Sequence, residues 1–189
     1  MQMGWRDAVV LRDALNAGPL KMGPAIPQVL GLEDLSAEEI EVGELAAALK
    51  ANKTVVIDLA PSPEYKAGHI GGAWFTIRSR LAAALARIPR AEIMVLTSPD
   101  GVLARLAAPE LSCDASIKVL QGGTLGWHAH GLPLTSGFER MADEPEDVYL
   151  RPYHLGENQQ EEKMRAYLEW EFGLLAQLAR DGDLRFAPA

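Results

Sequence analysis

The stretch Thr54-Val-Val-Ile-Asp-Leu-Ala60 decides the fold class of this 189-residue chain. It is a short apolar run rich in β-branched residues, which is typical of a strand buried on both faces. Pro61 and Pro63 follow it, and a short helical segment at 64–67 ends at Gly68. The sequence therefore predicts a buried strand that leads into a helix.

The same alternation continues along the chain. Further strands are predicted at 73–77, 93–97 and 116–120, and helices at 42–49, 78–88, 102–111 and 124–130. This order is typical of an α/β fold, and we expect a parallel sheet of about five strands between Ile40 and Leu120, with helices on both faces. In such a sheet the loops that follow the strands meet at one edge, where ligands bind.

Composition limits the classes of function. The chain has 26 acidic and 18 basic residues and a net charge of −8, which argues against nucleic acid as the main partner. It lacks an apolar run long enough for a membrane helix, and its start does not resemble a signal peptide, so we expect a cytoplasmic protein without a membrane partner. The single cysteine, Cys113, excludes an intrachain disulfide and a cysteine-rich metal site. We expect neither a metal nor a cofactor.

The pattern divides the chain into three parts. Residues 1–35 are interpreted as an N-terminal extension with a Gly- and Pro-rich linker, 36–136 as the α/β domain, and 137–189 as a C-terminal extension. The extension contains one long amphipathic helix at 157–180, with an apolar stripe formed by Met164, Leu168, Phe172, Leu175 and Leu178. We expect this stripe to be buried, either on the chain's own domain or against a partner domain. At about two heptads it is short for a coiled coil.

Two loops at strand ends carry the most specific sequence motifs. One runs from Asp58 through Glu64-Tyr-Lys-Ala-Gly68-His69-Ile-Gly-Gly-Ala73, and the other is Val95-Leu-Thr-Ser98-Pro-Asp-Gly101. Downstream lie Gly122-Gly-Thr-Leu-Gly-Trp127 and Gly131-Leu-Pro133. With these motifs the chain resembles the rhodanese-homology family over about residues 36–136, which implies a rhodanese-like, thiosulfate sulfurtransferase-related fold.

The resemblance also implies a chemistry. In active members a loop cysteine takes a sulfane sulfur, becomes a persulfide and passes the sulfur to a thiol or to cyanide; this needs a thiolate within backbone N–H groups at a helix N-terminus. The resemblance puts Ser98 at the cysteine position, Ala60 at that of an arginine, and Pro99 where basic residues are common. We therefore expect a pseudoenzyme without sulfurtransferase activity of its own. Its loop of Ser98, Pro99, Asp100 and Gly101 is expected to keep an N–H cup that holds a small sulfur-containing anion.

Three functions remain open from the sequence. The leading one is a structural or regulatory module in sulfur transfer, with other rhodanese domains as partners. The second is part of an active sulfurtransferase whose cysteine lies in another domain or subunit. The third is an anion-binding module without turnover.

Several other polar residues have competing interpretations. Asp58 and His69 are expected to be structural residues near the loop. Arg78 and Arg80 either face the mouth of the loop and bind an anion or begin a solvated helix. Ser98 as a hydrolase nucleophile is disfavoured because the Gly-x-Ser-x-Gly spelling is missing. Cys113 is expected to pack as a small apolar residue beside the last strand.

Overall fold

The structure is a computed structural model that describes residues 9–10, 12–16, 18–19, 23, 28–151, 153 and 157–181. The chain divides into two compact units: Gln28–Tyr149 forms one, and the segments before and after it form the other. The predicted boundaries at 36 and 136 stay predictions.

The Gln28–Tyr149 unit is built on a parallel sheet. Its strands are β1 (Glu39–Ile40), β2 (Thr54–Asp58), β3 (His69–Ile70), β4 (Trp74–Phe75), β5 (Ile93–Thr97), β6 (Ser116–Leu120), β7 (Leu134–Thr135) and β8 (Arg140–Met141). Six of them form one parallel sheet in the order β1-β6-β5-β2-β4-β8, and β3 pairs with β7 in an antiparallel pair. The α/β class and the parallel sheet are confirmed. The sheet has one strand more than expected, because the chain returns to its edge after the predicted range and adds β8.

The helices follow the predicted positions, and only α3 and α4 are shorter than predicted. They are α1 (Val42–Lys50), α2 (Ser62–Ala67), α3 (Leu81–Ala84), α4 (Val102–Ala107), α5 (Gly123–Ala129) and α6 (Glu157–Asp181). The helix predicted at 78–88 begins as a 3-10 turn, Arg78–Arg80, and the one predicted at 102–111 ends as the 3-10 turn Ala108–Glu110. Pro109 lacks the N–H that a longer α-helix would need there.

Apolar residues cover both faces of the sheet. Ile57 and Leu96 belong to one buried cluster, whereas their chain neighbours Val56 and Val95 belong to another. Successive side chains of a strand point to opposite faces, so a strand between two helical layers must be apolar throughout. This is why the Thr54–Asp58 run decides the fold.

The other unit departs from expectation in its long helix. Its described residues between 9 and 16 include the 3-10 turn Ala14–Asn16. Helix α6 is present as predicted, but its stripe is not buried: Phe172 is 82% exposed and Leu175 is 78% exposed. The described residues leave this stripe largely exposed, and its cover by a partner domain stays a prediction. Among the described residues, no helix has the length and hydropathy needed to span a membrane.

Candidate functional site

The two loops singled out in the sequence lie at the same edge of the sheet. Strands β2 and β5 are parallel neighbours, and Asp58 at the end of one is paired in register with Thr97 at the end of the other. The loop Ser98–Gly101 follows directly and leads into α4. Parallel pairing therefore brings together the residues that the sequence separates by 40 positions.

The loop Ser98–Gly101 bonds mainly to its own chain. Ser98 is fully buried, and its Oγ accepts a hydrogen bond from the N–H of Ala104 at 3.2 Å. The carbonyl oxygen of Ser98 accepts the N–H of Gly101 at 3.2 Å. The N–H of Val102 donates to Oδ1 of Asp100 at 3.0 Å. Three backbone donors at the start of α4 thus already have acceptors within the chain.

These contacts differ from the open cup of N–H groups that the sequence predicts for the loop. The carboxylate of Asp100 lies at the N-terminus of α4, the end of a helix that favours a negative charge. Pro99 supplies no N–H at all. An external anion would have to compete with a carboxylate that the chain itself provides, and anion binding at the loop stays a prediction.

Helix α5 holds the loop from the other side. The N–H groups of Thr124 and Leu125 donate to the carbonyl oxygens of Ser98 and Pro99, at 3.0 and 2.9 Å. Gly123 has a φ of +61° and lies so close to the loop that a Cβ there would be 2.1 Å from the Ser98 oxygen. The Gly-Gly-Thr-Leu segment therefore fixes the loop through its backbone, a role that the sequence alone did not predict for these residues. A pair of glycines at a strand end was the available signal.

A buried polar network lies beneath the loop. Asp58 accepts the N–H of Ala60 at 2.9 Å through Oδ1, and Thr124 Oγ1 donates to its Oδ2 at 3.5 Å. Thr124 Oγ1 is also 3.1 Å from Thr97 Oγ1. Burial raises the pKa of Asp58 to about 6, although the N–H of Ala60 acts in the opposite direction. This arrangement suits a structural carboxylate that links β2, β5 and α5.

His69 is enclosed on all sides. Its ring is fully buried and stacks on Tyr65, with ring centroids 3.9 Å apart. Nδ1 lies 2.8 Å from the carbonyl oxygen of Tyr65, and Nε2 lies 3.3 Å from a carboxylate oxygen of Glu139. The same carboxylate accepts the N–H of Gly72, which is the main reason why the pKa of Glu139 is below its usual value. Both ring nitrogens are therefore engaged in holding the loop between α2 and β4.

The arginines near this edge are paired with carboxylates. Arg78 contacts Glu110 at 2.5 Å, and Arg80 contacts Glu146 at 2.5 Å. Of the two alternatives from the sequence, the solvated helix start is the one the structure supports, since Arg78–Arg80 form the 3-10 turn before α3 and their side chains are 34% and 46% exposed. Positive charge at this edge is therefore largely neutralised by the chain's own acidic residues.

The acidic segment 143–147 supplies several of these partners. Asp143 is buried and accepts hydrogen bonds from Thr76 Oγ1 at 2.5 Å and the N–H of Ile77 at 3.0 Å, and it pairs with Arg87 at 2.6 Å. Asp147 accepts the N–H of Ser62 at 2.8 Å, at the start of α2. The acidic segment 143–147 is thus bonded to the loops that follow β2 and β4.

Cys113 lies away from this site. It is exposed, and it lines a surface cavity of about 850 Å³ beside Arg90 and Asp114, before the start of β6. The expectation that it packs as an apolar residue is wrong, because the chain between the 3-10 turn and β6 runs over the surface. Among the described residues, no group of three or more His, Cys, Asp or Glu side chains is arranged to hold a metal ion.

Comparisons with known proteins agree with this geometry. The family model of the rhodanese-like domain matches residues 41–130. A crystal structure of thiosulfate sulfurtransferase from Pseudomonas aeruginosa has 36% identity and a TM-score of 0.77; the match covers 99% of this chain and 35% of that one. A rhodanese-related protein from Thermoplasma volcanium has 21% identity and a TM-score of 0.47, covering 52% of this chain and 97% of that one. No curated protein matches the sequence. The chain thus spans about a third of the length of the Pseudomonas enzyme.

Proposed function

From the premise that this chain carries a rhodanese-like domain related to thiosulfate sulfurtransferase, we propose that it is a module of a sulfur-transfer system that forms no persulfide at its own loop. Ser98 occupies the position of the family's cysteine in this proposal. The chain acts as a structural or regulatory part, in the cytoplasm, and uses no cofactor.

The environment of Ser98 is the main support for this proposal. Its Oγ is buried and accepts the N–H of Ala104, so the hydroxyl acts as an internal cap for the start of α4. A serine hydroxyl does not ionise near neutral pH without a base, and oxygen cannot carry a persulfide. Within 28–149, the hydrogen bonds that the structure gives to Ser98 Oγ include no histidine or carboxylate that would act as such a base.

The charges at the same edge of the sheet also support the proposal. Thiosulfate is a dianion, so its binding benefits from unpaired positive charge. Arg78, Arg80 and Arg87 are each paired with a carboxylate, and Asp100 adds a further negative charge to the loop. These pairs make turnover of a sulfur-containing anion at this loop unfavourable, and they disfavour the alternative of an anion-binding module.

The second candidate function is part of an active sulfurtransferase whose cysteine lies elsewhere. One observation favours it: the thiosulfate sulfurtransferase that matches 99% of this chain is nearly three times as long. In that case another domain or subunit supplies the cysteine, and this chain supports it.

A thiosulfate:cyanide assay of three proteins tests the proposal. We expect the unchanged chain and its Cys113→Ser variant to form no thiocyanate above the uncatalysed rate. Ser98→Cys in the Cys113→Ser background is expected to show weak activity at most, because the loop still lacks free positive charge. Robust turnover by the unchanged chain that survives Cys113→Ser would overturn the proposal. Turnover that disappears on Cys113→Ser would assign the chemistry to Cys113 instead.

A further inference from the structure

The buried ring of His69 has a hydrogen-bond acceptor at each of its two nitrogens. Nδ1 lies 2.8 Å from the carbonyl oxygen of Tyr65, and Nε2 lies 3.3 Å from Oε2 of Glu139. A carbonyl oxygen and a carboxylate oxygen can only accept, so each ring nitrogen must donate. Neutral imidazole carries a single N–H, and either of its tautomers leaves one acceptor facing another acceptor. Both contacts are satisfied together only by the imidazolium.

The partner at Nε2 is an ionised carboxylate. Oε2 of Glu139 also accepts the N–H of Gly72 at 3.0 Å, and this bond, followed by the contact with His69, holds the pKa of Glu139 below its usual value. A protonated Glu139, which could donate to a neutral ring nitrogen, is therefore disfavoured near neutral pH. The proton between the two side chains thus belongs to His69.

Other groups around the ring also favour a positive charge on it. Burial alone opposes such a charge, but the Tyr65 ring is stacked on His69 at 3.9 Å between centroids, and an aromatic face attracts a cation. The carboxyl group of Asp58 interacts electrostatically with His69 from the end of β2. The other titratable side chains of α2, α5 and β8 are all exposed: Glu64, Lys66, His128 and Arg140. Glu139 and Asp58 are thus the counter-charges that a buried cation needs.

We propose that the His69 imidazolium and the Glu139 carboxylate form a pH-dependent latch that holds the turn at 71–72 against the start of β8. Nδ1 keeps its proton because the Tyr65 carbonyl is buried with it, so deprotonation takes the proton from Nε2. Two acceptors then face each other at Glu139, whose side chain is 41% exposed and can turn to water. Gly72 loses its acceptor at the same time. The latch does not depend on the function proposed for the chain.

Nitrogen NMR of the ring tests its charge, because ¹⁵N chemical shifts distinguish a protonated ring nitrogen from an unprotonated one. Histidine in model peptides titrates near pH 6.5, so the comparison runs from about pH 5.5 to about pH 8.5. We expect both nitrogens of His69 to be protonated at the lower pH and only Nδ1 at the higher. An unprotonated nitrogen at the lower pH, or loss of the proton from Nδ1, would overturn the proposal.

The amide of Gly72 reports whether the latch is closed. Its exchange with water, measured by NMR relative to an unstructured peptide at the same pH, should become at least about tenfold faster between about pH 5.5 and about pH 8.5, because the N–H loses a charged acceptor. Glu139→Gln should abolish this pH dependence, since an amide can accept from the imidazolium and donate to the neutral ring. An equal pH dependence in the unchanged chain and in Glu139→Gln would contradict the latch.

Two further variants separate the latch from the carboxyl groups near it. Glu64→Gln removes an exposed carboxylate on α2, and Asp58→Asn removes a buried carboxyl whose pKa of about 6 lies in the same range of pH. Both variants should keep the pH dependence of Gly72 exchange. Its loss in Asp58→Asn would assign the effect to Asp58, and its loss in Glu64→Gln would assign it to the overall charge of this region. Either loss would show that the proposal is wrong.

Discussion

A Cβ atom at Gly123 would lie 2.1 Å from the carbonyl oxygen of Ser98. Real Cβ atoms do not approach a backbone oxygen so closely, so the N-terminus of α5 and the loop can pack only because this position lacks a side chain. The approach lets the N–H groups of Thr124 and Leu125 reach the loop carbonyls. The shape of the candidate site thus depends on a residue outside the loop itself.

Replacing this glycine should therefore disrupt the fold around the loop. We expect Gly123→Ala to lower the free energy of unfolding by more than about 3 kcal/mol in urea titrations, because steric overlap adds to the cost of a positive φ. Gly131→Ala is the matched control: Gly131 has a φ of +76° but nothing within 4 Å of a Cβ, so about 1 kcal/mol is expected. Equal losses in the two variants would contradict the packing described here.

Asp58 should make stability depend on pH. Its pKa in the folded chain is about 6, above the value of 3.8 for a free carboxyl, so the folded state favours the protonated form. The contribution of Asp58 to the free energy of unfolding should therefore decrease as the pH rises from about 4 to about 6 and stay level above that, a total cost of about 3 kcal/mol. Asp58→Asn should remove this decrease and be more stable than the unchanged chain at pH 7, but not at pH 4.

The control for this measurement is Asp114→Asn, at an exposed position. Denaturant titrations at several pH values should give it the same pH dependence as the unchanged chain. If Asp58→Asn also keeps that dependence, the buried carboxylate is not its source.

The strands and loops that form this site could be predicted from the sequence, but the residues that hold the loop in place could not. Buried strands have a strong signature in apolar runs such as Thr54–Asp58, and parallel strands must end at one edge, so the meeting of Asp58 with the Ser98 loop was predictable. The two-residue strands β1 and β8 have no such pattern. The Ser36–Glu39 stretch also resembles a capping box, yet α1 begins after Glu41, whose side chain and that of Glu44 form the box instead.

Long-range polar contacts also could not be predicted from the sequence pattern. The pairing of Arg80 with Glu146 joins residues 66 positions apart, and their charges look like ordinary solvated surface in the sequence. The α6 stripe is a different case. An amphipathic pattern shows that a helix has an apolar face, but not whether the same chain covers it.

Asp143 should be more important for stability than the ion pairs at the surface. Its side chain is only 4% exposed and has three partners, so Asp143→Asn replaces one acceptor oxygen by an amide donor that faces either Arg87 or the donors of Thr76 and Ile77. We expect a loss of about 2 kcal/mol or more in the free energy of unfolding.

Glu110→Gln is the comparison, because Glu110 pairs with Arg78 at a side chain that is 50% exposed. Exposed pairs contribute little, and less than about 1 kcal/mol should be lost. Equal effects from the two substitutions would show that the acidic segment is not anchored as described.

Thiol reactivity should distinguish Cys113 from a cysteine introduced in place of Ser98. Cys113 is exposed, so the native chain should react with one equivalent of a disulfide reagent such as DTNB, and Cys113→Ser should abolish the reaction. Ser98 is fully buried beneath the start of α4, so Ser98→Cys in the Cys113→Ser background should react at least about 100-fold more slowly than Cys113, and at the rate of Cys113 only after unfolding. A Ser98→Cys thiol that reacts as fast as Cys113 in the folded chain would mean that the loop opens to solvent. In that case the burial of Ser98, and with it the main support for a loop without sulfur transfer, would no longer stand.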